Sequence, residues 1–321
     1  MIKNLYNRSF LTLKDYTKDE ILFLIDLAIK LKSEKKSGIY KHRLKNKNIA
    51  MIFELTSTRT RCAASVACFD EGAHAEFLGK NEIQLGKKES LKDTARVLGR
   101  MFDAILFRGY KQETLVQLKE YSGIPVVNAL TDDFHPTQML ADLMTIKEHF
   151  NKFKNIKLTY LGDGINNTTN SLLIGSAKIG MDITITSPKK YSPKKEILDY
   201  IKSINSESKI EITEDPYKAV KGADIIYTDV WISMGQEKDT KSKEKIELLK
   251  PYKVNKKIMD STGKDSTIFL HCLPAAHDGK VHNMEVTDEV FESEKSFVFD
   301  QAENRLHTIK AILISIIGGK N

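Results

Sequence analysis

Short apolar runs separated by polar stretches recur along the whole chain and predict β-strands. The runs are rich in β-branched and aromatic residues, which favour strands. They lie near 48–53, 104–107, 125–127, 156–161, 183–186, 224–228 and 267–271. Amphipathic stretches lie between them, so predicted strands and helices alternate. This alternation is typical of an α/β fold built on parallel sheets, which is the fold class that we predict.

Three amphipathic stretches predict helices with recognisable ends. Residues 17–32 begin with Thr17 and Glu20 at the spacing of a capping box. Residues 136–150 begin with a proline, which suits the first position of a helix. Residues 303–319 end in two glycines, so the last helix is expected to stop there.

The length of 321 residues is long for one domain and comfortable for two of about 150 residues each. A polar break at 151–155 separates two series of strands and helices. We therefore predict two domains, 1–150 and 151–302, each a parallel sheet flanked by helices, with helix 303–319 packed back on the first. Ligands of such folds bind at the carboxyl ends of the strands, so the active site is predicted in the cleft between the domains.

The chain is basic: its 50 lysines and arginines outnumber its 43 aspartates and glutamates, which gives a formal charge of +7. Such a balance suits nucleic acid, an anionic small molecule, or merely a lysine-rich surface. The lysines lie in loose clusters without interleaved aromatic residues or a nucleic-acid-binding signature. We therefore expect no nucleic-acid partner, and a basic nucleic-acid-binding protein is kept only as a remote alternative.

Targeting and metal-binding signals are also missing from the sequence. No apolar run approaches the roughly 18 residues of a membrane helix, and the first residues lack the apolar core of a signal peptide. Three cysteines without a CxxC pair argue against disulfides and structural zinc, and no ligand spacing indicates another metal. The expectation is a cytoplasmic protein with no membrane partner and no metal.

Two arginines, Arg59 and Arg61, stand in the predicted first turn of the helix that follows strand 48–53. A helix N-terminus already carries about half a positive charge, so each arginine opposes it by roughly 0.3–1 kcal/mol when exposed. Backbone N–H groups of the first turn can bind an anion, which would turn this cost into charge-assisted hydrogen bonds. Hydroxyl groups that could join them are those of Ser57, Thr58 and Thr60, and Ser57 or Thr58 suits the N-cap.

A plainer explanation of these arginines is pairing with nearby carboxylates such as Glu54 or Glu82. Repulsion from the helix dipole makes an anionic ligand the better explanation, and a phosphate is the anion that we favour.

Reactive side chains follow the other predicted strands at the point where each strand ends. They occur in "RGY" with Arg108, in "NALTDDFHPTQ", in "GDGINN", in "DVWISMG" and in "HCLPA". Carboxyl ends of parallel strands meet at one edge of a sheet, so a single crevice is the economical explanation for this placement.

A dinucleotide site is one interpretation of "GDGINN", because a strand, a GxG turn and a helix open a Rossmann fold. Asn167 occupies the place of the third glycine, and no acidic residue ends the next strand at 183–188. We therefore reject a nicotinamide cofactor. The amides of Asn166 and Asn167 suit a small polar ligand instead.

His135, Gln138 and Cys272 each have two interpretations. His135 could cap a helix, but Gln138 lies one turn further on and would point to the same place. Cys272 could be an ordinary buried thiol at a strand end. A Cys–His nucleophile pair is not expected, because adjacent His271 would point to the opposite face if both residues lay in a strand.

These segments, taken together and in this order, resemble the transcarbamylase family. "STRTR", "FRGY", "HPTQ" and "HCLP" resemble its carbamoyl-phosphate contacts, and "DVWISMG" resembles the loop that marks its ornithine enzymes rather than its aspartate enzymes. The resemblance runs nearly end to end, through "QLGKKES", "MEVTDEVFES" and "QAENRLHTIKA". One departure is the short "GKVHN" at 279–283, where many bacterial relatives look longer, and it bears on higher assembly.

The resemblance implies transfer of a carbamoyl group from carbamoyl phosphate to the δ-amine of L-ornithine, giving citrulline and phosphate without metal or cofactor. It implies a homotrimer or an assembly of trimers, in which Gln84 reaches a neighbouring subunit's site. The carbamoyl-phosphate residues that it implies are Ser57, Thr58, Arg59, Thr60, Gln84, Arg108, His135, Gln138, Cys272, Leu273 and Arg305. The ornithine residues that it implies are Asn167, Asp229, Ser233 and Met234. Of these, Arg59, Arg108, His135 and Cys272 are the implied catalytic residues.

The roles follow from the charges of the reaction. Donors around the carbonyl oxygen (Arg108, His135 and Thr60) would stabilise a tetrahedral oxyanion, and Arg59 would stabilise the leaving phosphate. The δ-amine, with a reference pKa of about 10.4 by analogy with lysine, must lose a proton, and phosphate is the hypothetical acceptor. Asp229 is expected to pair with the α-ammonium of ornithine. The nearest rival is a transcarbamylase for another amine such as putrescine, against which "SMG" argues.

Overall fold

The computed structural model describes residues 5–80, 82–83, 89–204, 206–232, 240–277 and 284–319. The chain forms two compact units, one of Met1–Met144 with Glu303–Asn321 and one of Thr145–Ala302. Each contains a sheet of parallel strands with helices between them, so the predicted fold class is confirmed.

The first unit is built on a parallel sheet with the strand order β2-β1-β3-β4. Its strands are β1 (Asn48–Phe53), β2 (His74–Gly79), β3 (Ala104–Arg108) and β4 (Val126–Leu130). Its helices are α1 (Lys18–Lys36), α2 (Thr58–Asp70), α3 (Leu91–Met101), α4 (Gln112–Ser122) and most of α5 (Pro136–Phe150). A single 3₁₀ turn at Leu13–Asp15 precedes α1.

The second unit is built on a parallel sheet with the strand order β7-β6-β5-β8-β9. Its strands are β5 (Lys157–Leu161), β6 (Asp182–Thr186), β7 (Ile210–Thr213), β8 (Ile225–Thr228) and β9 (Ile268–His271). Its helices are α6 (Asn167–Ile179), α7 (Lys195–Ser203), α8 (Pro216–Val220), α9 (Thr240–Leu249), α10 (Lys256–Asp260) and α11 (Asp288–Phe291). Short 3₁₀ turns lie at Lys189–Tyr191 and Lys250–Tyr252, and helix α12 (Val298–Ile317) closes the chain.

The predicted strands are all present, and the sequence pattern shows why two further strands escaped prediction. Strands β1 and β3 lie inside their sheet and are almost wholly buried, which explains their continuous apolar runs. Strands β2 and β7 lie at sheet edges and contain exposed and half-buried residues, so they lack such runs. The capping box predicted for α1 is confirmed, since Thr17 and Glu20 exchange hydrogen bonds.

Two helices run across the division between the units. The division falls at Met144, inside α5, whereas the predicted boundary lies at residue 150. The last turns of α5 belong to the second unit, where the ring of His149 meets that of Phe297 at 4.7 Å between centroids. Helix α12 begins at Val298, earlier than predicted, and its residues from Glu303 onward belong to the first unit. None of the helices in the described ranges combines the length and apolar character that a membrane crossing requires.

Helix α2 ends in a buried ion pair that ties it to α12. Asp70 is its last residue, and its carboxylate lies 2.7 Å from the ammonium group of Lys310 and 2.7 Å from that of Lys35. Burial alone would raise the pKa of Asp70, but the two lysines outweigh burial and hold that pKa below its ordinary value. Lys310 is only 2% exposed, so the pair lies inside the unit rather than on its surface.

Replacing Lys310 by methionine should therefore destabilise the protein, because it leaves a buried carboxylate short of one partner. We expect the free energy of unfolding from chemical denaturation to fall by about 3 kcal/mol or more. The control is Lys218→Met, which removes an exposed lysine 3.9 Å from Glu211 and should cost no more than about 0.5 kcal/mol. Equal losses in the two variants would contradict a stabilising role for the Asp70–Lys310 pair.

Candidate active site

The first turn of α2 forms an anion-binding geometry at the carboxyl end of β1. Ser57 is the N-cap, and its hydroxyl accepts a hydrogen bond from the backbone N–H of Thr60 at 3.2 Å. Thr58 is the first helical residue and is exposed, whereas Thr60 is buried at 1% exposure. A helix N-terminus with exposed and buried hydroxyls side by side is suited to hold an oxyanion.

Arg305 of α12 brings this turn together with the start of α5. Its Nη2 atom donates to the hydroxyl of Thr60 at 3.1 Å and to that of Thr137 at 3.2 Å. Its Nη1 atom donates to Oε1 of Gln138 at 2.8 Å, and Gln138 donates in turn to Asp142. A buried guanidinium therefore links α2, α5 and α12 at the point where Gln138 was predicted to act.

Arg108 and His135 lie at the carboxyl ends of the neighbouring strands β3 and β4. Arg108 is the last residue of β3, is paired in register with Phe53 of β1, and is 5% exposed. His135 follows β4 and is also 5% exposed. Burial lowers the pKa of His135 well below 6.5, and the charges of Arg305, Arg108 and Arg59 lower it further. The structure thus gathers three guanidinium groups around a neutral imidazole.

The two ring nitrogens of His135 face different partners. Nε2 lies 3.5 Å from Nη1 of Arg305, and Nδ1 lies 3.4 Å from the hydroxyl of Thr137. Because a guanidinium only donates hydrogen bonds, these partners assign the proton of the neutral ring to Nδ1 and leave Nε2 as an acceptor. His135 is thus joined through its ring to residues of the candidate site.

The low pKa of His135 makes stability depend on pH. Below pH 6.5 the unfolded chain binds a proton that folded His135 does not. The free energy of unfolding therefore decreases as the pH is lowered, by up to about 1.4 kcal/mol per pH unit. His135→Gln should remove this part of the slope between pH 6.5 and 5, measured by chemical denaturation. His307→Gln should do the same, because burial lowers the pKa of His307 to about 4. A slope unchanged in both variants would contradict the assignment of neutral buried rings.

The two first-turn arginines have different surroundings. Arg59 is half-buried and its charge acts on His135, whereas Arg61 is exposed and its guanidinium lies 3.6 Å from the ring centroid of Phe77. Residues two apart on a helix point in different directions, which explains the separation. Arg61 therefore has a cation–π contact, which the expectation of one bound anion for both arginines did not include.

The carboxylates considered as partners of these arginines accept hydrogen bonds from backbone groups. Glu54 accepts from the backbone N–H of Tyr110 at 3.1 Å, and Glu82 accepts from that of Gly79 at 2.7 Å. Both carboxylates thus stabilise turns near the ends of β3 and β2.

A second group of predicted residues lies at the carboxyl ends of β8 and β9 in the second unit. The thiol of Cys272 lies 2.9 Å from Oδ1 of Asp229, and the same oxygen accepts from the backbone N–H of Val230 at 2.7 Å. Asp229 is 6% exposed, and Cys272 is half-buried. A thiol that donates to one carboxylate oxygen helps to fix the orientation of that carboxylate.

The two asparagines after β5 are not equivalent. Asn166 is the N-cap of α6, since its Oδ1 atom accepts from the backbone N–H of Thr169 at 2.7 Å and its amide donates to the hydroxyl of Tyr160. Asn166 was expected to serve a ligand, but its side chain has the structural role of capping α6. Asn167 is the first residue of α6 and is half-buried, so it is the asparagine that remains a candidate.

Two features of β9 and the residues after it differ from expectation. Cys272 lies beyond the end of β9, so the alternation of a strand does not separate it from His271. A ring nitrogen of His271, the thiol of Cys272 and a carboxylate oxygen of Asp229 all lie within 4.8 Å of one another. No sequence spacing indicated this cluster, since it joins the ends of two strands. Cys272 and Asp229 are joined within it by a hydrogen bond, and the backbone N–H of Leu273, next to Cys272, donates to Nδ1 of His271.

The predicted site residues thus fall into two groups. The first unit brings together Ser57, Thr58, Arg59, Thr60, Arg108, His135, Gln138 and Arg305. The second contains Asn167, Asp229, Cys272 and Leu273. Gln84, Ser233 and Met234 lie outside the described residues.

Comparison with known sequences decides the family. Residues 8–148 match the carbamoyl-P binding domain of the family called aspartate/ornithine carbamoyltransferase, and residues 154–316 match its Asp/Orn binding domain. The chain belongs to the aspartate/ornithine carbamoyltransferase family. The anion-binding turn of α2 lies in the carbamoyl-P binding domain, and Asp229 with Cys272 lies in the Asp/Orn binding domain.

Several members of the aspartate/ornithine carbamoyltransferase family are similar over nearly their whole length. A catabolic ornithine carbamoyltransferase of Bacillus licheniformis is 56% identical over 98% of this chain and 98% of its own. An ornithine carbamoyltransferase of Streptococcus pyogenes is 54% identical over 97% and 96%. The structure of ornithine carbamoyltransferase from Pyrococcus furiosus matches with a TM-score of 0.93 and 41% identity over 100% of both chains. That of the anabolic enzyme from Campylobacter jejuni matches with a TM-score of 0.87 and 41% identity over 95% and 97%.

Proposed function

We propose that this chain transfers the carbamoyl group of carbamoyl phosphate to the δ-amine of L-ornithine, giving L-citrulline and phosphate. The observation that carries the proposal is the cluster of Arg59, Arg108 and Arg305 around His135, with Arg305 bound to Thr60 in the hydroxyl-rich first turn of α2, an arrangement that suits a dianion. Relatives named ornithine carbamoyltransferase, 54–56% identical over nearly the full length, support ornithine as the acceptor. Both catabolic and anabolic names occur among the relatives, so the direction within arginine metabolism is left open.

The phosphate group of carbamoyl phosphate is proposed to bind in the first unit. Its phosphate would take the backbone N–H groups of the α2 first turn and the guanidinium of Arg59. Arg305 now donates to protein oxygens of Thr60 and Gln138, and these donors can pass to phosphate oxygens when the substrate arrives. The full proposed set is Ser57, Thr58, Arg59, Thr60, Gln84, Arg108, His135, Gln138, Cys272, Leu273 and Arg305.

The carbonyl oxygen is proposed to be activated by fixed donors rather than by a metal or an organic cofactor. Arg108 and the hydroxyl of Thr60 are the donors proposed to face it, and both residues are buried. A donor fixed where oxyanion charge develops lowers the barrier to the tetrahedral intermediate. His135 can donate to the same oxygen only from the Nε2–H tautomer, which becomes favourable once substrate draws Arg305 away.

Ornithine is proposed to bind in the second unit through both of its α-substituents. Asp229 is the buried carboxylate available for the α-ammonium. Asn167, with Ser233 and Met234, is proposed to meet the α-carboxylate. Fixing this end sets the distance from the δ-amine to the carbonyl carbon.

The proposed reaction balances without a further reactant. The ammonium form of the δ-amine first releases one proton to solvent. The uncharged δ-nitrogen then forms a bond to the carbonyl carbon, the bond from that carbon to the phosphate oxygen breaks, and phosphate takes the second proton that the nitrogen loses. Cys272 is proposed to lie beside the δ-amine, where partial removal of water favours the uncharged, nucleophilic form of the amine.

The assembly is proposed to be a cytoplasmic homotrimer or a set of trimers in which Gln84 serves a neighbouring subunit's site. Two large apolar side chains on helices of the first unit support a further protein contact, since Phe69 is 81% exposed and Met101 is 67% exposed. The reducing compartment rests on the cysteine content and the lack of CxxC pairs.

A shared site can be tested by subunit mixing. Arg59→Ala and Gln84→Ala trimers should each be nearly inactive, and mixed trimers should regain activity because some sites then carry neither change. Citrulline formation before and after subunit exchange is the measurement. Inactive mixed trimers, with exchange verified by mass spectrometry, would contradict the proposed role of Gln84.

The proposed function itself is tested by offering carbamoyl phosphate with each of four amines: ornithine, putrescine, aspartate and lysine. We expect ornithine to give the highest kcat/KM, measured as ureido product formed per unit time. Preference for putrescine would instead identify the rival transcarbamylase, and preference for aspartate would place the chain with the aspartate enzymes of the family.

A further inference from the structure

The residues after β9 adopt an uncommon backbone conformation at a place where the proposed reaction needs accurately positioned side chains. Cys272 and Leu273, both in the proposed carbamoyl-phosphate set, open an irregular segment that runs to Ala276. Leu273 has a φ of +58°, a left-handed conformation that non-glycine residues seldom adopt. Such a conformation persists only where the surroundings determine it, so some group must hold this segment in place.

The near end of the segment is held by His271, the last residue of β9. Its Nδ1 atom accepts a hydrogen bond from the backbone N–H of Leu273 at 2.9 Å. Its own backbone N–H donates to Oε1 of Gln301 at 3.0 Å, and its side chain is fully buried. Since Nδ1 accepts, a neutral ring carries its proton on Nε2.

The far end of the segment is held by Glu285. Its Oε1 atom accepts from the backbone N–H of Ala276 at 2.7 Å and lies 3.3 Å from Nε2 of His271. Glu285 is fully buried, and its backbone oxygen accepts from the N–H of Val254 at 2.8 Å, which fixes it to the rest of the unit. One carboxylate oxygen thus meets both ends of the segment, directly at Ala276 and through the imidazole at Leu273.

We infer that His271 and Glu285 are positioning residues that hold Cys272 and Leu273 in place for carbamoyl transfer; this inference rests on the proposed function. Neither side chain needs to touch substrate, since both act through the backbone N–H groups of Leu273 and Ala276. Burying an imidazole and a carboxylate is costly, and the side-chain hydrogen bonds that these two groups make go to Leu273 and Ala276 of this segment.

The contacts of the two ring nitrogens of His271 can be tested separately by substitution. Asparagine at position 271 places its amide oxygen near the position of Nδ1, so it can still accept from Leu273. Glutamine places its amide near the position of Nε2, so it keeps contact with Glu285 and loses the bond to Leu273. His271→Asn should therefore retain kcat within about fivefold, whereas His271→Gln should lose about 10- to 100-fold, the scale expected for misplaced reacting groups.

The same comparison can be made at position 285. Glu285→Gln keeps an oxygen that can accept from Ala276 and lie beside Nε2 of His271, so activity should stay close to that of the parent. Glu285→Leu removes the hydrogen bond to Ala276 and the close contact with His271, and it should resemble His271→Gln. Val286→Ala is the stability control, because Val286 is the buried neighbour of Glu285 and its truncation removes packing without removing the contacts of Glu285 with Ala276 and His271.

The decisive experiment measures kcat and KM for both substrates, the unfolding midpoint, and the alkylation rate of Cys272 by iodoacetamide, followed by mass spectrometry of its peptide. In His271→Gln and Glu285→Leu, we expect kcat to fall and Cys272 to react at least about threefold faster, because its bond to Asp229 depends on the segment. In His271→Asn, Glu285→Gln and Val286→Ala both readouts should stay near the parent.

Equal behaviour of His271→Asn and His271→Gln, or a loss of activity that follows only the unfolding midpoint, would overturn the inference. If the parent forms no citrulline, the proposed function fails, while the difference in Cys272 reactivity still tests the positioning pair.

Discussion

Replacing Arg59 by alanine should lower kcat/KM for carbamoyl phosphate by about 10³-fold or more while the fold stays intact. A charge-assisted hydrogen bond contributes about 1.5–3 kcal/mol to binding, and loss of a donor to the transition state costs about 10²–10³ in rate. The ligand-free variant should be slightly more stable than the parent, because one charge that opposes the α2 dipole has been removed. Steady-state kinetics and chemical denaturation measure the two effects.

Arg61→Ala is the matched control for this prediction. It removes the same guanidinium two residues further along the same helix turn, from a side chain that lies over Phe77. Its kcat/KM should remain within about threefold of the parent, because a surface cation–π contact of about 0.5–1 kcal/mol is all that is lost. Arg59→Ala activity within tenfold of the parent, or an equal fall in both variants, would contradict the assignment of Arg59 to the phosphate.

Replacing Asp229 by asparagine should lower kcat/KM for ornithine by about 10²-fold or more. The change keeps a side-chain oxygen for Cys272 and Val230 and removes only the charge proposed to meet the α-ammonium. Loss of one partner of a buried charge pair costs about 2–5 kcal/mol, and each 1.4 kcal/mol is about tenfold. Binding of carbamoyl phosphate alone, measured by calorimetry, should barely change.

Asp224→Asn is the control at the opposite end of β8. Asp224 precedes β8 and pairs with Lys264 at 2.6 Å, whereas Asp229 follows β8 at the other end. The Asp224 variant should lose stability and keep its ornithine kinetics. Unaltered ornithine kinetics in the Asp229 variant would contradict its assignment.

The preference for ornithine over putrescine separates the roles of Asp229 and Asn167. Putrescine keeps both amines of ornithine and lacks only the carboxylate, so Asp229→Asn should slow both substrates alike. The parent should prefer ornithine by at least about 10³-fold, because a site built for polar groups rejects a ligand without them. Asn167→Ala should shrink that ratio, since Asn167 is proposed to meet the carboxylate.

Local sequence patterns were sufficient to predict most strands of the sheets and the first turn of α2. Buried strands appear as apolar runs, and the N-cap at Ser57 follows from hydroxyls before a helix, so both are visible within a few residues of sequence. The edge strands β2 and β7 were missed because their side chains are partly exposed and give no such run.

The contacts that the sequence could not predict are those that depend on tertiary packing. Arg61 and Arg59 look alike in sequence, and only the position of Phe77 on β2 separates their roles. The same limit applies to the choice between Asn166 and Asn167, which depends on where α6 begins. His271 and Glu285 are fourteen positions apart along the chain and carry no motif of their own beyond the family resemblance. Their hydrogen bonds to the segment after β9 are the only signal that singles them out.

Transfer of a labelled carbamoyl group tests the central claim most directly. Carbamoyl phosphate labelled with ¹³C at the carbonyl is incubated with L-ornithine and the purified chain, and the products are followed by NMR and mass spectrometry. We predict that the label appears in L-citrulline at the δ-ureido carbon, with one phosphate released for each citrulline formed. Label found only in the hydrolysis products of carbamoyl phosphate, or no faster transfer than in the absence of the chain, would contradict the account.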